Sequence, residues 1–264
     1  MGGWNYEPWR ETFYPTGVTK AGELAYASRR VTAIEVNGTF YRLQSPAVFA
    51  KWRDETPEDF VFSLKASRFI VNRRVLAEAG ESMQKFFASG LTELGPKLGP
   101  ILWQLAETKA FDAKDLDAFL GLLPKALNGL PLRHALEVRH DSFQSGEFVE
   151  LARRHRVATV FADSDQYPSF ADVTGDFIYA RLMRTAASQP TGYTKPALKK
   201  WVTRARAWAA GEEPDDLPRV EKTRAKPRPR DVFLYFISGA KERNPAAAMQ
   251  IVALLEEQAQ GARP

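Results

Sequence analysis

The apolar positions of the chain fall into two alternating patterns. Short segments that are mostly apolar and rich in β-branched and aromatic side chains predict buried parallel strands. These segments are Ala33–Asn37, Phe60–Lys65, Ile101–Leu105, Ala135–Arg139, Ala158–Asp163, Phe177–Leu182 and Val232–Ile237.

The segments between these strands place apolar residues three and four positions apart, which predicts helices that each bury one stripe. Examples of such stripes are Met83, Phe86 and Phe87; Leu116, Phe119 and Leu120; and Leu198, Trp201, Val202, Ala205 and Trp208. Residues favoured at helix N-caps precede several of the helices, with proline in or near the first turn in most cases. They are Ser45, Asp112, Thr194 and Asn244.

Strand followed by helix, repeated along the chain, is typical of a parallel sheet covered by helices, either doubly wound or closed into a barrel. We predict an α/β fold consisting of a single eight-stranded (β/α) TIM-type barrel over residues 1–264. A barrel of this type needs one more strand than the sequence shows. Because the chain begins abruptly at Gly2-Gly3-Trp4, we expect the first strand to be short or truncated.

One segment, Gly211–Arg230, resembles a linker. Acidic residues are followed by basic ones, with four prolines among them, which predicts a solvated, mobile loop. The favoured interpretation is a charged face whose basic residues have their own acidic partners upstream. The alternative is an arm that binds nucleic acid.

Composition limits the available chemistry. The chain has 264 residues, no cysteine and three histidines, His134, His140 and His155. Disulfides, thiolate zinc sites and cysteine nucleophiles are excluded, and a multi-histidine metal cluster nearly so. Without an apolar run of about 18 residues or a signal peptide, we expect a soluble, cytoplasmic protein with no membrane partner. The net charge of +5 does not by itself imply nucleic acid.

Polar residues near the ends of the predicted strands occupy alternate positions, so that within each strand they lie on one face. Side chains alternate across a strand, so residues two apart share a face, and in a barrel one face points into the lumen. We therefore expect a ligand site at the carboxyl-terminal rim, where barrel enzymes have their active sites. The alternative is an ion network that plugs the barrel, although buried ion networks seldom add stability. The residues concerned are Glu35, Asn37, Ser63, Lys65, Gln104, Glu137, Arg139, Asp163, Arg181 and Tyr235.

Carboxylates are the candidate catalytic groups at this rim. Glu35 and Glu137 could divide into a proton donor and a proton acceptor, with Asp163 as a third candidate. Lys65 could form a Schiff base if it is desolvated, but nearby carboxylates should keep it protonated, which favours a charge role. Arg139 and Arg181 suit bidentate binding of a phosphate or carboxylate. Alternatively they pair with the acidic residues, or a ligand displaces such a partner.

Aromatic residues and a metal complete the list of candidates. Of the aromatic side chains near the first strands, Tyr6 and Tyr41 are expected to contact a ligand, together with Asn37, Lys65, Gln104, Arg139, Arg181 and Tyr235. Glu35, Glu137, Asp163 and His140 would suit Mg²⁺ or Mn²⁺, because their ligand atoms are mainly hard oxygens. No spacing signature supports a metal, so the sequence requires no cofactor.

Ordered motifs along nearly the whole chain resemble the YecE-like family, domain of unknown function 72. They are Gly3-Trp4-Asn5-Tyr6, Phe13-Tyr14-Pro15, Glu35-Val36-Asn37-Gly38-Thr39-Phe40-Tyr41, Phe62-Ser63-Leu64-Lys65, the run from Leu94 to Leu105, Glu137-Val138-Arg139-His140, Tyr179-Ala180-Arg181 and Tyr235-Phe236. The resemblance implies an eight-stranded α/β barrel and supplies no reaction. The chain lacks the short strand that usually precedes the Gly-Trp, and it has Leu182-Met183 where a His-Gly often follows the late arginine.

These observations favour an enzyme that uses carboxylate acid/base chemistry on a small polar or anionic substrate, phosphorylated or sugar-like, at the carboxyl-terminal rim. The alternative is a non-catalytic nucleic-acid-binding protein that uses the rim together with the basic part of Gly211–Arg230. The sequence leaves open the identity of the substrate, the reaction type, the metal requirement and the oligomeric state.

Overall fold

A computed structural model describes residues 1–261 of the chain. In chain order, the strands are β1 Ala33–Val36, β2 Val61–Lys65, β3 Leu98–Gln104, β4 Ala126–Leu127, β5 Leu130–Pro131, β6 His134–Glu137, β7 Ala158–Asp163, β8 Phe177–Leu182 and β9 Asp231–Phe236. Strands β4 and β5 form a small antiparallel hairpin. The other seven form one parallel sheet in the order β1-β2-β3-β6-β7-β8-β9, the order of consecutive strands around a barrel.

Helices connect the strands and pack on the outside of the sheet. They are α1 Trp9–Thr12, α2 Glu23–Ala27, α3 Gly38–Tyr41, α4 Pro46–Glu55, α5 Arg68–Val71, α6 Gly80–Phe87, α7 Ala113–Gly121, α8 Gly146–His155, α9 Lys195–Ala210 and α10 Asn244–Gly261. The predicted stripes of α6, α7 and α9 are buried. Their contacts include Trp103 of β3 on Phe86 and Phe119, and Phe161 of β7 on Trp201 and Trp208.

Two of the four predicted caps make the expected hydrogen bond. Asp112 accepts from the Asp115 N–H, and Thr194 accepts from the Ala197 N–H. Ser45 stands at the N-cap of α4 without a side-chain hydrogen bond. The cap predicted at Asn244 is wrong. Its buried amide instead accepts from the Thr185 hydroxyl at 2.9 Å and donates to the Ser238 carbonyl at 3.3 Å.

Residues 1–3 lie where the eighth strand was predicted. Gly2 makes a single parallel bridge with Glu35, and the Gly3 N–H donates to the Glu35 carbonyl at 2.8 Å. On the other side the gap is narrow, since a Cβ on Gly2 would lie 3.5 Å from Ile237 Cδ1. The described residues thus form seven regular strands and one short bridge in a nearly closed barrel. The barrel prediction is confirmed, and the strand count of eight is corrected.

The lumen of the barrel is filled by two kinds of side chain. Toward the amino-terminal ends of the strands the inward side chains are apolar: Ala33, Val61, Ala158, Phe177 and Phe233. Toward the carboxyl-terminal ends the inward side chains are polar or charged, and they too are buried: Glu35, Ser63, Glu137, Tyr179, Arg181 and Tyr235. The charged layer is therefore the upper end of a packed core.

Strand β3 begins three residues before its predicted start. The difference arises at Gly99, where a Cβ would lie 2.5 Å from Val61 Cγ1 and 3.0 Å from the Phe62 carbonyl oxygen. The register between β2 and β3 shifts at this point. Glycine allows the two backbones to approach closely, so the strand extends through a segment whose Gly-Pro composition predicts a turn.

The segment Gly211–Arg230 contains no helix or strand, and it is exposed along much of its length. Its residues Glu213, Leu217 and Arg230 are buried. Asp172, itself buried, accepts hydrogen bonds from the N–H groups of Val220 and Glu221 at 2.8 and 2.9 Å. A buried carboxylate and an apolar side chain therefore anchor a segment that is otherwise largely exposed to solvent.

No helix within residues 1–261 combines the length and apolar character needed to cross a bilayer. The predicted domain of 1–264 includes residues 262–264, which lie outside the described residues, and the single-domain organisation stays a prediction.

Candidate functional site at the carboxyl-terminal rim

The guanidinium of Arg181, on β8, lies between two carboxylates in the charged layer. Its Nη2 donates to Glu35 Oε1 at 3.0 Å and its Nε donates to Glu35 Oε2 at 3.1 Å, which makes a bidentate pair. Its Nη1 donates to Glu137 Oε2 at 2.6 Å. All three side chains are at most 3% exposed. One buried cation therefore joins β1, β6 and β8 across the lumen.

Glu137 has further partners toward the rim. Gln104 donates to its Oε2 at 2.7 Å, and Arg139 Nε donates to its Oε1 at 2.9 Å. The guanidinium of Arg139 lies 4.1 Å from the centre of the Tyr167 ring. The Tyr167 hydroxyl donates to Glu107 at 2.8 Å. Arg139 is thus held by a carboxylate on one side and an aromatic ring on the other.

Electrostatics fix the charge states of this layer. Burial alone would raise the pKa of Glu137, but the charges of Arg181 and Arg139 and the bond from Gln104 outweigh it and hold the pKa below its ordinary value. Burial likewise opposes the charge of Arg181, but Glu137 and Glu35 raise its pKa. Glu137 is therefore ionised at neutral pH and is a poor proton donor. The ion network considered as an alternative exists among these side chains.

Lys65, the last residue of β2, is held differently from the arginines. Its side chain is 8% exposed, and its Nζ lies 4.2 Å from the centre of the Phe40 ring. Among the described residues, no carboxylate forms a salt bridge with this amine. Burial and, next, the charge of Arg181 lower the pKa of Lys65 from 10.5 to about 8. The nearby carboxylates Glu35 and Glu137 are bound by the arginines rather than by Lys65, but a pKa of about 8 still leaves most of this amine protonated at pH 7.

A cavity of about 780 Å³ opens above the charged layer. Four cationic side chains line it: Lys65, Arg139, Arg181 and Lys241. Glu7 is the carboxylate among its described lining residues. Lys241 Nζ lies 4.1 Å from the centre of the Tyr6 ring, and burial lowers the pKa of this lysine. The ion network is thus the floor of the cavity and leaves room for a ligand. With Glu35 and Glu137 of this floor and Glu7 of the wall included, four cations face three carboxylates, which leaves a small excess of positive charge.

Most of the predicted site residues meet at this cavity. Tyr6, Asn37, Tyr41 and Gln104 line it together with the cations. Tyr41 is 62% exposed, so it lies at the mouth. Tyr235, which was predicted to contact a ligand, does not line the cavity and packs instead against Ser63. Their hydroxyls are 2.7 Å apart, buried beneath the charged layer.

Asp163 does not reach the site. On β7 the inward side chains are Ala158 and Val160, so Asp163 shares the outward face with Phe161. Its carboxylate accepts from the Tyr193 hydroxyl at 3.4 Å and lies 3.3 Å from Arg184 Nε. Burial raises its pKa. Its predicted catalytic position is wrong, because the parity was assigned from one polar residue rather than from the whole strand.

The carboxylate metal site is not assembled. His140 accepts from the Ser142 N–H and lies outside the residues that line the cavity. Within residues 1–261, no group of three or more His, Asp or Glu side chains is arranged to hold a metal ion.

Three supporting residues were not predicted. The Tyr179 hydroxyl donates to Glu35 Oε2 at 2.8 Å. Tyr179 lies two residues before Arg181 on β8, so the alternation of this strand could have predicted that its side chain points into the lumen. The Thr39 hydroxyl donates to the Lys65 carbonyl at 2.7 Å and ties α3 to the end of β2. Lys241 lies beyond β9, where strand parity gives no information.

The basic part of Gly211–Arg230 lies away from the rim. This segment leads into Asp231, the amino-terminal end of β9, whereas the cavity lies at the carboxyl-terminal ends. Arg224 pairs with Asp215, and Arg228 pairs with Asp176. The favoured interpretation of a charged face with acidic partners agrees with these pairs.

The motifs and the fold resemble those of known proteins. A family model described as "Protein of unknown function DUF72" matches residues 1–264. The chain belongs to the DUF72 family. The resemblance inferred from the sequence motifs is thereby confirmed.

Individual DUF72 relatives and structural neighbours agree with this assignment. The UPF0759 protein YecE of Escherichia coli K12 is 30% identical over 143 residues, 53% of this chain and 47% of YecE, so the match spans about half of that relative. A DUF72 family protein from Thermotoga maritima superposes with a TM-score of 0.70 at 20% identity, over 97% of each chain. A xylose isomerase-like TIM barrel fused to a 4-hydroxyphenylpyruvate dioxygenase gives a TM-score of 0.53 at 14% identity, over 91% of this chain and 41% of that chain. These two likenesses show the fold.

Proposed function

We propose that this DUF72 protein is an enzyme that binds a small anionic substrate, carboxylated or phosphorylated, in the rim cavity and acts on it by acid/base chemistry. The observation that carries the proposal is the surplus of positive charge around an open space. Lys65, Arg139, Arg181 and Lys241 line a cavity of about 780 Å³. A cavity with buried cations is suited to concentrate and orient an anion.

Within this proposal the cations have different tasks. Arg181 is bound on both sides by carboxylates, so it acts on a ligand through its electrostatic field rather than through direct contact. Arg139 is held by Glu137 through Nε, which orients its guanidinium for an incoming oxyanion. Lys65 points to the same space and has a pKa near the operating range of a proton-transfer group. We therefore assign Lys65 as the reacting side chain of this site, and a positioning role to Glu35 and Glu137.

The nucleic-acid alternative requires the rim and the basic part of Gly211–Arg230 to act on one ligand. The distance between the two ends of the barrel and the pairing of Arg224 and Arg228 with acidic residues weigh against it. A binder of this kind would lose affinity for an oligonucleotide steeply as salt concentration rises. The absence of salt-sensitive binding would remove this alternative.

Thermal unfolding with a panel of anions tests the small-molecule proposal. Inorganic phosphate, small carboxylates and sugar phosphates are expected to raise the Tm of the wild-type chain, because ligands that bind the folded state stabilise it. Arg139→Gln should abolish the rise. Arg224→Gln, a matched change at the opposite end, should retain it. The proposal fails if no anion raises the Tm, or if both variants lose the rise equally.

A further inference from the structure

We propose that Lys65 is a nucleophile that forms a covalent imine with an aldehyde or ketone carrying a carboxylate or phosphate group. This inference rests on the proposed function, since the anionic group of the substrate would occupy the same cavity. It goes further by naming the reacting atom, Lys65 Nζ, and the class of electrophile.

The first support is how firmly the backbone of Lys65 is held. Its carbonyl accepts from the Thr39 hydroxyl at 2.7 Å, and the next N–H, of Ala66, donates to the Leu102 carbonyl at 2.9 Å. The stem of the side chain is buried, and the amine rests against the Phe40 ring. The amine is therefore presented from a rigid strand end, as a reaction at a fixed position requires.

The second support comes from a comparison with the other strongly buried lysine, Lys97. Both side chains belong to residues that are 8% exposed. The Lys97 amine donates to the carbonyls of Arg53 and Thr56 at 2.5 and 2.7 Å and approaches the Thr56 hydroxyl at 3.2 Å. Burial lowers the pKa of Lys97 as well, but these acceptors engage its amine and hold it in place. No such acceptor binds the amine of Lys65 among the described residues, so its lone pair can become available.

The third support is the charge around Lys65. The carboxylates that would stabilise its ammonium form are bound by Arg181 and Arg139, whose own charges disfavour a further cation. A lysine that is desolvated beside another cationic group is activated as a nucleophile. At pH 7.5, a pKa of about 8 gives roughly two-hundredfold more neutral amine than an ordinary lysine has.

The chemistry balances without an added oxidant or reductant. The neutral Lys65 amine attacks the carbonyl carbon, a C–N bond forms, and the electron pair of the C=O π bond moves to oxygen. Two protons pass from nitrogen to that oxygen, the C–O bond breaks, and water leaves. The product is a C=N bond between Lys65 and the substrate carbon. Arg139 and Lys241 would hold the carboxylate or phosphate of the same molecule.

Reductive trapping of the full-length chain tests the inference. Pyruvate and glyceraldehyde 3-phosphate serve as anionic carbonyl probes, and propionaldehyde serves as an uncharged probe. Cyanoborohydride supplies the hydride that converts an imine to a stable amine, and peptide mass mapping locates the adduct. We expect Lys65 to be trapped at least roughly tenfold faster than any other lysine with the anionic probes. Lys97 provides an internal control that should stay unmodified.

Lys65→Arg keeps a cation but cannot form the imine, so it should remove this adduct while phosphate still raises the Tm. In the wild-type chain, phosphate should slow trapping at Lys65, a readout that does not depend on whether the variant folds. The inference is overturned if adducts spread over surface lysines, if Lys241 reacts in place of Lys65, or if propionaldehyde reacts as fast. If no adduct forms at Lys65 but phosphate still raises the Tm, only the covalent step is wrong. If phosphate also has no effect, the proposed function fails as well.

Discussion

The rim cavity and the segment Gly211–Arg230 are both rich in basic residues, yet they use them in opposite ways. In the segment, Arg224 and Arg228 pair at the surface with Asp215 and Asp176. Such exposed pairs are screened by water and contribute little to stability. At the rim, Arg181 is buried between two carboxylates, and Lys65 faces an open space. A density of basic residues in the sequence does not identify a site, whereas burial and an excess of charge around a cavity do.

The strongest test of this contrast is removal of the buried cation. Arg181→Leu leaves Glu35 and Glu137 buried without their partner, and we expect a loss of about 3 to 5 kcal/mol in the free energy of unfolding. Urea denaturation measures this. Adding Glu35→Gln and Glu137→Gln should recover part of the loss. A loss below about 1 kcal/mol would mean that water already reaches these carboxylates.

The segment at the other end should depend on its buried carboxylate rather than on its arginines. Asp172→Ala removes the acceptor of two backbone N–H groups, those of Val220 and Glu221. We expect a loss of about 1 to 2 kcal/mol, because two partly buried donors lose their acceptor. Asp172→Asn, which keeps one acceptor oxygen, should cost less. Equal and negligible losses in both variants would show that this bond does not anchor the segment.

Lys65 gives a pH-dependent test of its environment. The folded chain holds this amine at a pKa of about 8, below the ordinary 10.5, so the unfolded chain binds more protons between these values. Its contribution to stability is therefore lowest below pH 8 and rises as the pH increases to 10.5. Lys65→Met should be more stable than wild type at pH 7 by on the order of 1 kcal/mol, and the difference should shrink by pH 10. A difference independent of pH would contradict the assigned desolvation.

The smallest effect is expected at the surface pairs. Arg224→Ala and Arg228→Ala should each change the free energy of unfolding by less than about 1 kcal/mol, because exposed ion pairs are screened. Denaturation in low and high salt measures this. A change as large as that of Arg181→Leu would remove the contrast between the two regions.

The fold was largely predictable because each strand and each helix carries its own periodic pattern. The bounds of β7 and β8 agree with the prediction, and parity correctly placed Glu35, Lys65 and Arg181 in the lumen. The strand count was less accessible, since residues 1–3 pair through one bridge and have no strand pattern.

Most of the side chains that meet at the cavity could be predicted from strand alternation, but their pairing could not. Which carboxylate meets which arginine depends on distances between strands that are not neighbours, as with Arg181 and Glu35. The lowered pKa of Lys65 depends on burial and on that pairing, so it could not be predicted from the sequence. The prediction for Asp163 was wrong for a local reason. The inward face of β7 is apolar, so no polar residue shows which face of this strand points into the lumen.

The crosslink that Arg181 makes between β1, β6 and β8 also determines the shape of any guest molecule. Its hydrogen bonds to Glu35 and Glu137 cross the lumen of the barrel, and the side chains of Tyr235 and Ser63 fill the space beneath them. A molecule entering from the rim meets this barrier after a single layer of side chains. It must therefore lie across the opening rather than thread down the axis, which favours compact, flat compounds over long chains.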